Sequence, residues 1–338
     1  MVARRTRSAG WALAAAGVAG AAWLRLVVLP RRPAAAPGPR PRRLSSRVAK
    51  PAPDGTGVRF VVNPRSGPVR EDDIADQLRS ALPGAEVHEL AEGGEDLRPI
   101  LCQDELLAIG AAGGDGTLSA VAAIAADRRA PMVVVPAGTL NHLARDLGLS
   151  SVDDAAEAVR AGTVAAIDLG QAGERTFVNT LTLGGYSAVV DARERLEGRL
   201  GKWPALLVAL VRELPRMEPL RLELDGVPMR VWLAWIGNGR YEPPGLAPAW
   251  REDLADGVLD LRIVHAPRRF SRTRFALSAL AGRLSTCHVY SERQAPTFEI
   301  RSLDGPLRIA ADGETFDAPA VLTVSKRREA LMVAVPPA

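Results

Sequence analysis

Five consecutive residues of the 338-residue chain, Gly113-Gly114-Asp115-Gly116-Thr117, combine a backbone that can approach a phosphate with a carboxylate that would repel one. The glycines lack Cβ atoms, so main-chain N–H groups can come close to a bulky anion. Asp115 is compatible with such a ligand if a divalent cation lies between the two charges or if the carboxylate handles a proton. An isolated Asp-Gly is commonly only a turn. Here a second loop, Pro136-Ala137-Gly138-Thr139-Leu140-Asn141, follows the next apolar run, and a turn does not account for it.

The elements around these loops form two strand–loop–helix units. Short apolar runs over 106–110 and 132–135 suit buried parallel strands. An alanine-rich helix is predicted over 118–126, and a second helix ends at Leu147. Each loop therefore opens at a helix N-terminus, where unpaired N–H groups and the helix dipole favour an anion. Two such ends in one sheet predict a polyphosphate lying across the carboxyl edge of the strands.

The paired motifs, with Leu143-Ala144-Arg145 behind the second, resemble the catalytic family of diacylglycerol kinases and sphingosine kinases. The resemblance runs from about Val58 to the C-terminus. It implies an α/β N-terminal domain, Rossmann-like and of the NAD-kinase/diacylglycerol-kinase type, and use of ATP and Mg2+. It implies nucleotide contacts from Asn63, Pro64, Ser66 and Gly67, which close the first strand over 57–62. Gly113, Gly114, Asp115, Gly116, Thr117, Gly138, Thr139 and Asn141 complete that set. In the second domain it implies a magnesium site at Asp256, with carbonyls near Asp253 and Val258. Glu314 would take the proton of the substrate hydroxyl, with Asp312 and Asp115 as further catalytic carboxylates. On spacing alone Asp312-Gly313 is equally a hairpin turn.

Several positions depart from the family pattern. His142 stands where an Asp usually follows the Asn, Ser119-Ala120 replaces Asn-Glu, and Ala91 replaces a nucleotide-contacting Thr. Pro68 replaces a basic residue. The glycine-rich N-x-x-G-x-G-x-D segment becomes Asn179-Thr180-Leu181-Thr182-Leu183-Gly184-Gly185-Tyr186. His142 is read chiefly as a first-turn helix residue.

Length and a hydrophobic content of 47% allow two folded domains. Net charge is only +4 and gives no case for a nucleic-acid partner. Cys102 and Cys287 show no metal spacing and read as reduced thiols. Residues 9–29 are apolar apart from Arg25, with Trp11 and Trp23 near the ends, and suit association with a bilayer or its surface. A signal peptide cleaved near Ala34–Ala36 is the rival reading. Arg31, Arg32, Arg40, Arg42, Arg43, Arg47 and Lys50 favour an anchor whose downstream side is cytoplasmic.

The organisation expected is thus a membrane-associating segment over 1–30, a Pro/Arg-rich linker over 31–56, an α/β domain over 57–166 and a β-rich domain over 167–338. Short β-type runs at 176–183, 220–224, 229–236, 258–264, 298–301, 307–310 and 320–324 predict a β-sandwich-like second domain. Helical stretches are expected at 203–214 and 272–284. Together these features point to an ATP- and Mg2+-dependent lipid kinase acting on a diacylglycerol-like hydroxyl at the cytoplasmic face of the cell membrane. Monomer and homodimer are both open. An NAD kinase-type enzyme shares the Gly113–Thr117 pattern, and a degenerate nucleotide- or lipid-binding module is the non-enzymatic alternative.

Overall fold

A computed structural model describes residues 44–66, 74–91, 95–138, 141–184, 218–244, 249–266 and 289–337. The apolar segment over 9–29, the helices expected at 203–214 and 272–284, Gly67 and Thr139 lie outside those residues. Among the described residues no helix is long and apolar enough to cross a membrane.

The N-terminal half runs β1 (Ser46–Val48), β2 (Val58–Val62), α1 (Ile74–Ala81), β3 (Glu86–Glu89), α2 (Leu97–Leu101), β4 (Ala108–Gly113), α3 (Asp115–Arg128), β5 (Met132–Pro136), α4 (His142–Asp146) and α5 (Val152–Ala161). Strands β3, β2, β4 and β5 pair in parallel in that order. Both faces of this sheet are covered, so its strands read as continuous apolar runs. Alternate residues divide between the two cores: Ile109, Ala111, Met132 and Val134 pack on one side with α3. Phe60, Val62, Val133 and Val135 pack on the other with α1 and α5. Ser151 caps α5 in a reciprocal capping box with Asp154, which fixes where that helix begins.

The strand order places a topological switch between β2 and β4, since β3 lies on one side of β2 and β4 on the other. Ligands of open α/β sheets bind at the carboxyl ends of strands flanking such a point. The loop after β4 is the Gly113–Thr117 motif, and the loop after β2 carries Asn63 and Ser66.

The second half runs β6 (Thr163–Ala172), β7 (Arg175–Phe177), β8 (Thr180–Gly184), β9 (Leu220–Leu224), β10 (Val227–Asn238), β11 (Tyr241–Glu242), β12 (Trp250–Arg251), β13 (Leu259–His265), β14 (Tyr290–Ala295), β15 (Thr297–Ser302), β16 (Leu307–Ala311), β17 (Glu314–Ala318) and β18 (Val321–Ala334). It is mostly β, with its own core around Phe177, Leu181, Ile236, Phe298 and Ile309.

Two boundaries differ from the sequence reading. The stretch read as a linker up to residue 56 contains β1, which pairs antiparallel with β6, and Ala52 is buried in the core beside α5. Expected as a short strand ending at residue 324, β18 is 14 residues long and runs to Ala334. Its first part pairs with β15 and its last with β5, so Leu331 and Val333 join the α/β core. The chain therefore returns to the first domain, and a division at residue 166 falls inside β6. A register shift between Arg327 and Leu331 lets one strand serve both cores.

Candidate active site

Three loops meet at the carboxyl ends of β2, β4 and β5. Asn63 and Ser66 reach the Gly113–Thr117 loop: Asn63 Nδ2 donates to Thr117 Oγ1 at 3.2 Å, and Ser66 Oγ accepts the Gly114 N–H at 2.9 Å. Pro64 and Arg65 form the exposed turn between them. From the third loop, the Gly138 N–H is donated to Asn141 Oδ1 at 2.7 Å. A Cβ at Gly138 would lie 3.1 Å from Gly114 Cα, so glycine permits the two phosphate-type loops to touch.

Two of the N–H groups expected to meet phosphate, those of Gly114 and Gly138, are therefore taken by protein oxygens. The remaining donors come from α3. Its N-cap is Gly114, which offers no side-chain cap. The first-turn N–H groups of Asp115, Gly116 and Thr117 have no helical carbonyl to take them, and they carry the positive end of the helix dipole. A polyphosphate fits this arrangement at α3.

Asp115 opens that helix, and its Oδ1 accepts from Asn179 Nδ2 at 3.1 Å. Asn179 belongs to the second half of the chain, just before β8. Its Oδ1 accepts from Arg251 Nη2 at 3.0 Å. Arg251 is fully buried and pairs with Asp146 through Nε at 2.7 Å, and it also donates to the carbonyls of Val178 and Asn238. This buried network spans α4, β12 and the 178–180 segment.

The hairpin between β16 and β17 brings Asp312 and Glu314 to the same place. Asp312 and Gly313 hold φ of 47° and 90°, the left-handed pair that a two-residue hairpin requires. Asp312 is both turn and clamp, not a free catalytic carboxylate. It accepts the N–H groups of Val178, Asn179 and Thr180 at 2.6, 2.9 and 2.8 Å and the Ser119 hydroxyl at 2.7 Å. Burial pushes its carboxyl up to about 6, against the pull of the Val178 and Thr180 N–H groups, with Asp115 adding a smaller upward push. Glu314 is exposed, with Arg175 Nη1 at 3.8 Å. Its carboxylate stands where a Cβ of Gly116 would be, so Glu314 packs directly on the first turn of α3.

The magnesium site implied at Asp256 does not fit the residues present. Asp256 Oδ2 accepts the Arg240 N–H at 2.7 Å and Oδ1 accepts the Val258 N–H at 3.1 Å. Lys326 Nζ lies 3.4 Å from Oδ1. Val258 thus meets Asp256 as an N–H donor, and Asp253 uses its own carboxylate to accept the Ala255 N–H at 2.8 Å. Among the described residues no group of three or more His, Cys, Asp or Glu side chains is placed to hold a metal ion.

Residues missed in the sequence reading are Asp146, Asp168, Arg251, Lys326 and Ser119 in its actual role. Asp168 left one signal, a lone carboxylate inside an apolar run; the others are charges whose partners lie far away in sequence. At His142, Nδ1 is buried without a partner among the described residues, and burial pulls the imidazole down from its ordinary range, so it is neutral near pH 7.

Residues 57–172 match the diacylglycerol kinase catalytic domain. A YegS-like protein of Pseudomonas fluorescens, described as a probable lipid kinase, is 35% identical over 237 residues, covering 67% of this chain and 76% of that protein. A diacylglycerol kinase of Mycobacterium tuberculosis is 30% identical over 239 residues, covering 66% and 75%. Among solved structures, a diacylglycerol kinase from Bacillus anthracis superposes with a TM-score of 0.56 over 83% of this chain and 97% of that one. At 17% identity that likeness speaks for the fold alone.

Proposed function

The chain belongs to the bacterial diacylglycerol kinase-like family of lipid kinases, and from that premise we propose that it transfers the γ-phosphoryl group of ATP to the hydroxyl of a diacylglycerol-like lipid. The observation that carries this reading is the contact of Glu314 with Gly116. It sets an exposed carboxylate against the helix end best suited to a triphosphate.

Phosphoryl transfer demands positioning and charge stabilisation more than covalent chemistry from the protein. The first turn of α3 would bind the phosphates, with the 63–66 loop and Gly138 fixing its place. A divalent ion carried by ATP would lie beside Asp115, the loop carboxylate, and would neutralise phosphate charge. The lipid hydroxyl oxygen attacks the γ-phosphorus, the bond from phosphorus to the β–γ bridging oxygen breaks, and ADP leaves. Glu314 accepts the hydroxyl proton as general base. Asp312 and Asn179 hold the second domain's backbone and Asp115 in register. On the same reading, residues 1–50 bring the protein to the cytoplasmic face of the membrane, where ATP and lipid meet.

The test is direct. Purified full-length protein is incubated with γ-labelled ATP, Mg2+ and diacylglycerol in detergent micelles, and the lipid phase is separated. Labelled phosphatidic acid supports the proposal. Labelled product only from another lipid of a total extract would correct the acceptor, and no labelled lipid from either would overturn the reading.

A further inference from the structure

Behind the active site, β18 sends a lysine into the interior. The Lys326 side chain is 1% exposed, and its Nζ faces Asp168 Oδ2 at 3.7 Å and Asp256 Oδ1 at 3.4 Å. None of these contacts has the geometry of a hydrogen bond to Nζ. The ammonium therefore acts by its charge, as a bound ion would.

Its neighbours are built around that charge. Asp168, fully buried on β6, accepts the Gly257 N–H at 2.8 Å and the Glu329 N–H at 2.7 Å. Asp256 accepts from the main chain at Arg240 and Val258. The two carboxylates thus fix three separate segments: the turn after β10, the 256–258 loop, and the β18 bulge near Glu329. Glu329 itself holds φ of 46°, so the bulge is shaped by this contact. A fully buried carboxylate beside a second, largely covered one is costly without a counter-charge. The Arg328 guanidinium lies over Gly257 and adds positive charge at the rim.

We infer that Lys326 is the resident cation of the Asp168–Asp256 cluster, filling the role of a bound metal ion so that this part of the fold needs none. A tethered ammonium is present at an effective concentration no dissolved ion matches, and a divalent ion would have to displace it. The inference concerns the nucleotide-free protein and does not depend on the kinase reading.

Mn2+ is the probe, since its free ion gives an EPR signal that binding removes. Nucleotide-free wild-type protein should leave that signal unchanged, and its Tm should be the same in EDTA and in millimolar Mg2+ at matched ionic strength. Stoichiometric Mn2+ binding that Asp256→Asn abolishes would overturn the inference. In Lys326→Met the carboxylates lose their cation, so Tm should fall by several degrees and Mg2+ should restore part of the loss. A Lys326→Met protein as stable as wild type in EDTA would overturn it as well. The wild-type measurements stand even if that variant does not fold.

Discussion

Asn179 ties the second domain to the phosphate loop of the first: its Nδ2 donates to Asp115 Oδ1 at 3.1 Å. The direction of that amide is set from behind. Arg251 can only donate, so Asn179 must turn Oδ1 towards Arg251 and Nδ2 towards Asp115. Arg251 is in turn fixed by Asp146 at 2.7 Å, both side chains being almost wholly inaccessible.

A buried pair of this kind contributes more to geometry than to stability. Arg251→Met leaves the Asp146 charge buried and unpaired, and should destabilise the protein by roughly 3–5 kcal/mol. Adding Asp146→Leu should recover most of that loss in urea unfolding. It should not recover kcat, because Asn179 is then free to flip. Full recovery of both would show that the pair has no positioning role.

The glycines of the loop should not be equivalent. A Cβ at Gly114 would meet only Ser66 Oγ, at 3.7 Å, whereas one at Gly116 would displace the Glu314 carboxylate. Gly114→Ala should therefore leave Tm nearly unchanged and weaken ATP binding by crowding the anion. Gly116→Ala should lower kcat at least as strongly as it weakens ATP binding. Comparing KM for ATP with kcat in the two variants separates these effects.

Much of the α/β half was legible because its strands and helices carry unbroken apolar signals: the runs at Ile109–Ala112 and Val133–Val135 are buried on both faces. The motif residues at Asn63, Ser66, Gly114, Gly138 and Asn141 were legible as types, but not their mutual hydrogen bonds. Buried charges were opaque. Arg251 and Asp146 are 105 positions apart, and hydropathy assigns both to the surface. Lys326 likewise reads as an ordinary charged residue of a late strand. Asp312 misled in a different way, since an Asp-Gly hairpin signal says nothing of four donors converging on its carboxylate.

The Asp312 carboxyl, raised from 3.8 to about 6 mainly by burial, sets a pH dependence with opposite signs for stability and activity. A raised carboxyl pKa means that the folded state holds the proton more tightly. Its contribution to stability is full below about pH 4, declines as pH rises towards 6, and is level above that. The ionised form is the one that accepts all four donors, so kcat should fall below about pH 6. Ser119→Ala removes one donor to the ionised form and should move this acid limb to higher pH. An unmoved limb would assign it to another group.

Deleting residues 1–50 removes the apolar segment and the basic flank, together with β1, which pairs with β6. A cut at residue 43 keeps β1 and is the cleaner variant. It should retain turnover of detergent-dispersed lipid and show lower recovery with membranes. Equal membrane recovery would assign the association to other parts of the protein.

The proton acceptor can be told apart from the groups that merely hold the site. Glu314 is exposed, and among the described residues it makes one long ion pair, with Arg175 at 3.8 Å, and accepts no backbone N–H. Replacing it should therefore disturb little but the chemistry. Glu314→Gln keeps the shape beside Gly116 while removing the base, so kcat should drop by roughly 10²–10⁴-fold. ATP affinity, measured by binding and not by KM, should stay within a few-fold of wild type. Asp312→Asn should behave differently, lowering Tm along with kcat, because an amide cannot accept from four donors. A Glu314→Gln protein with near-normal kcat on the true lipid would place the base elsewhere, and Asp115, the other carboxylate at the first turn of α3, would be tested next.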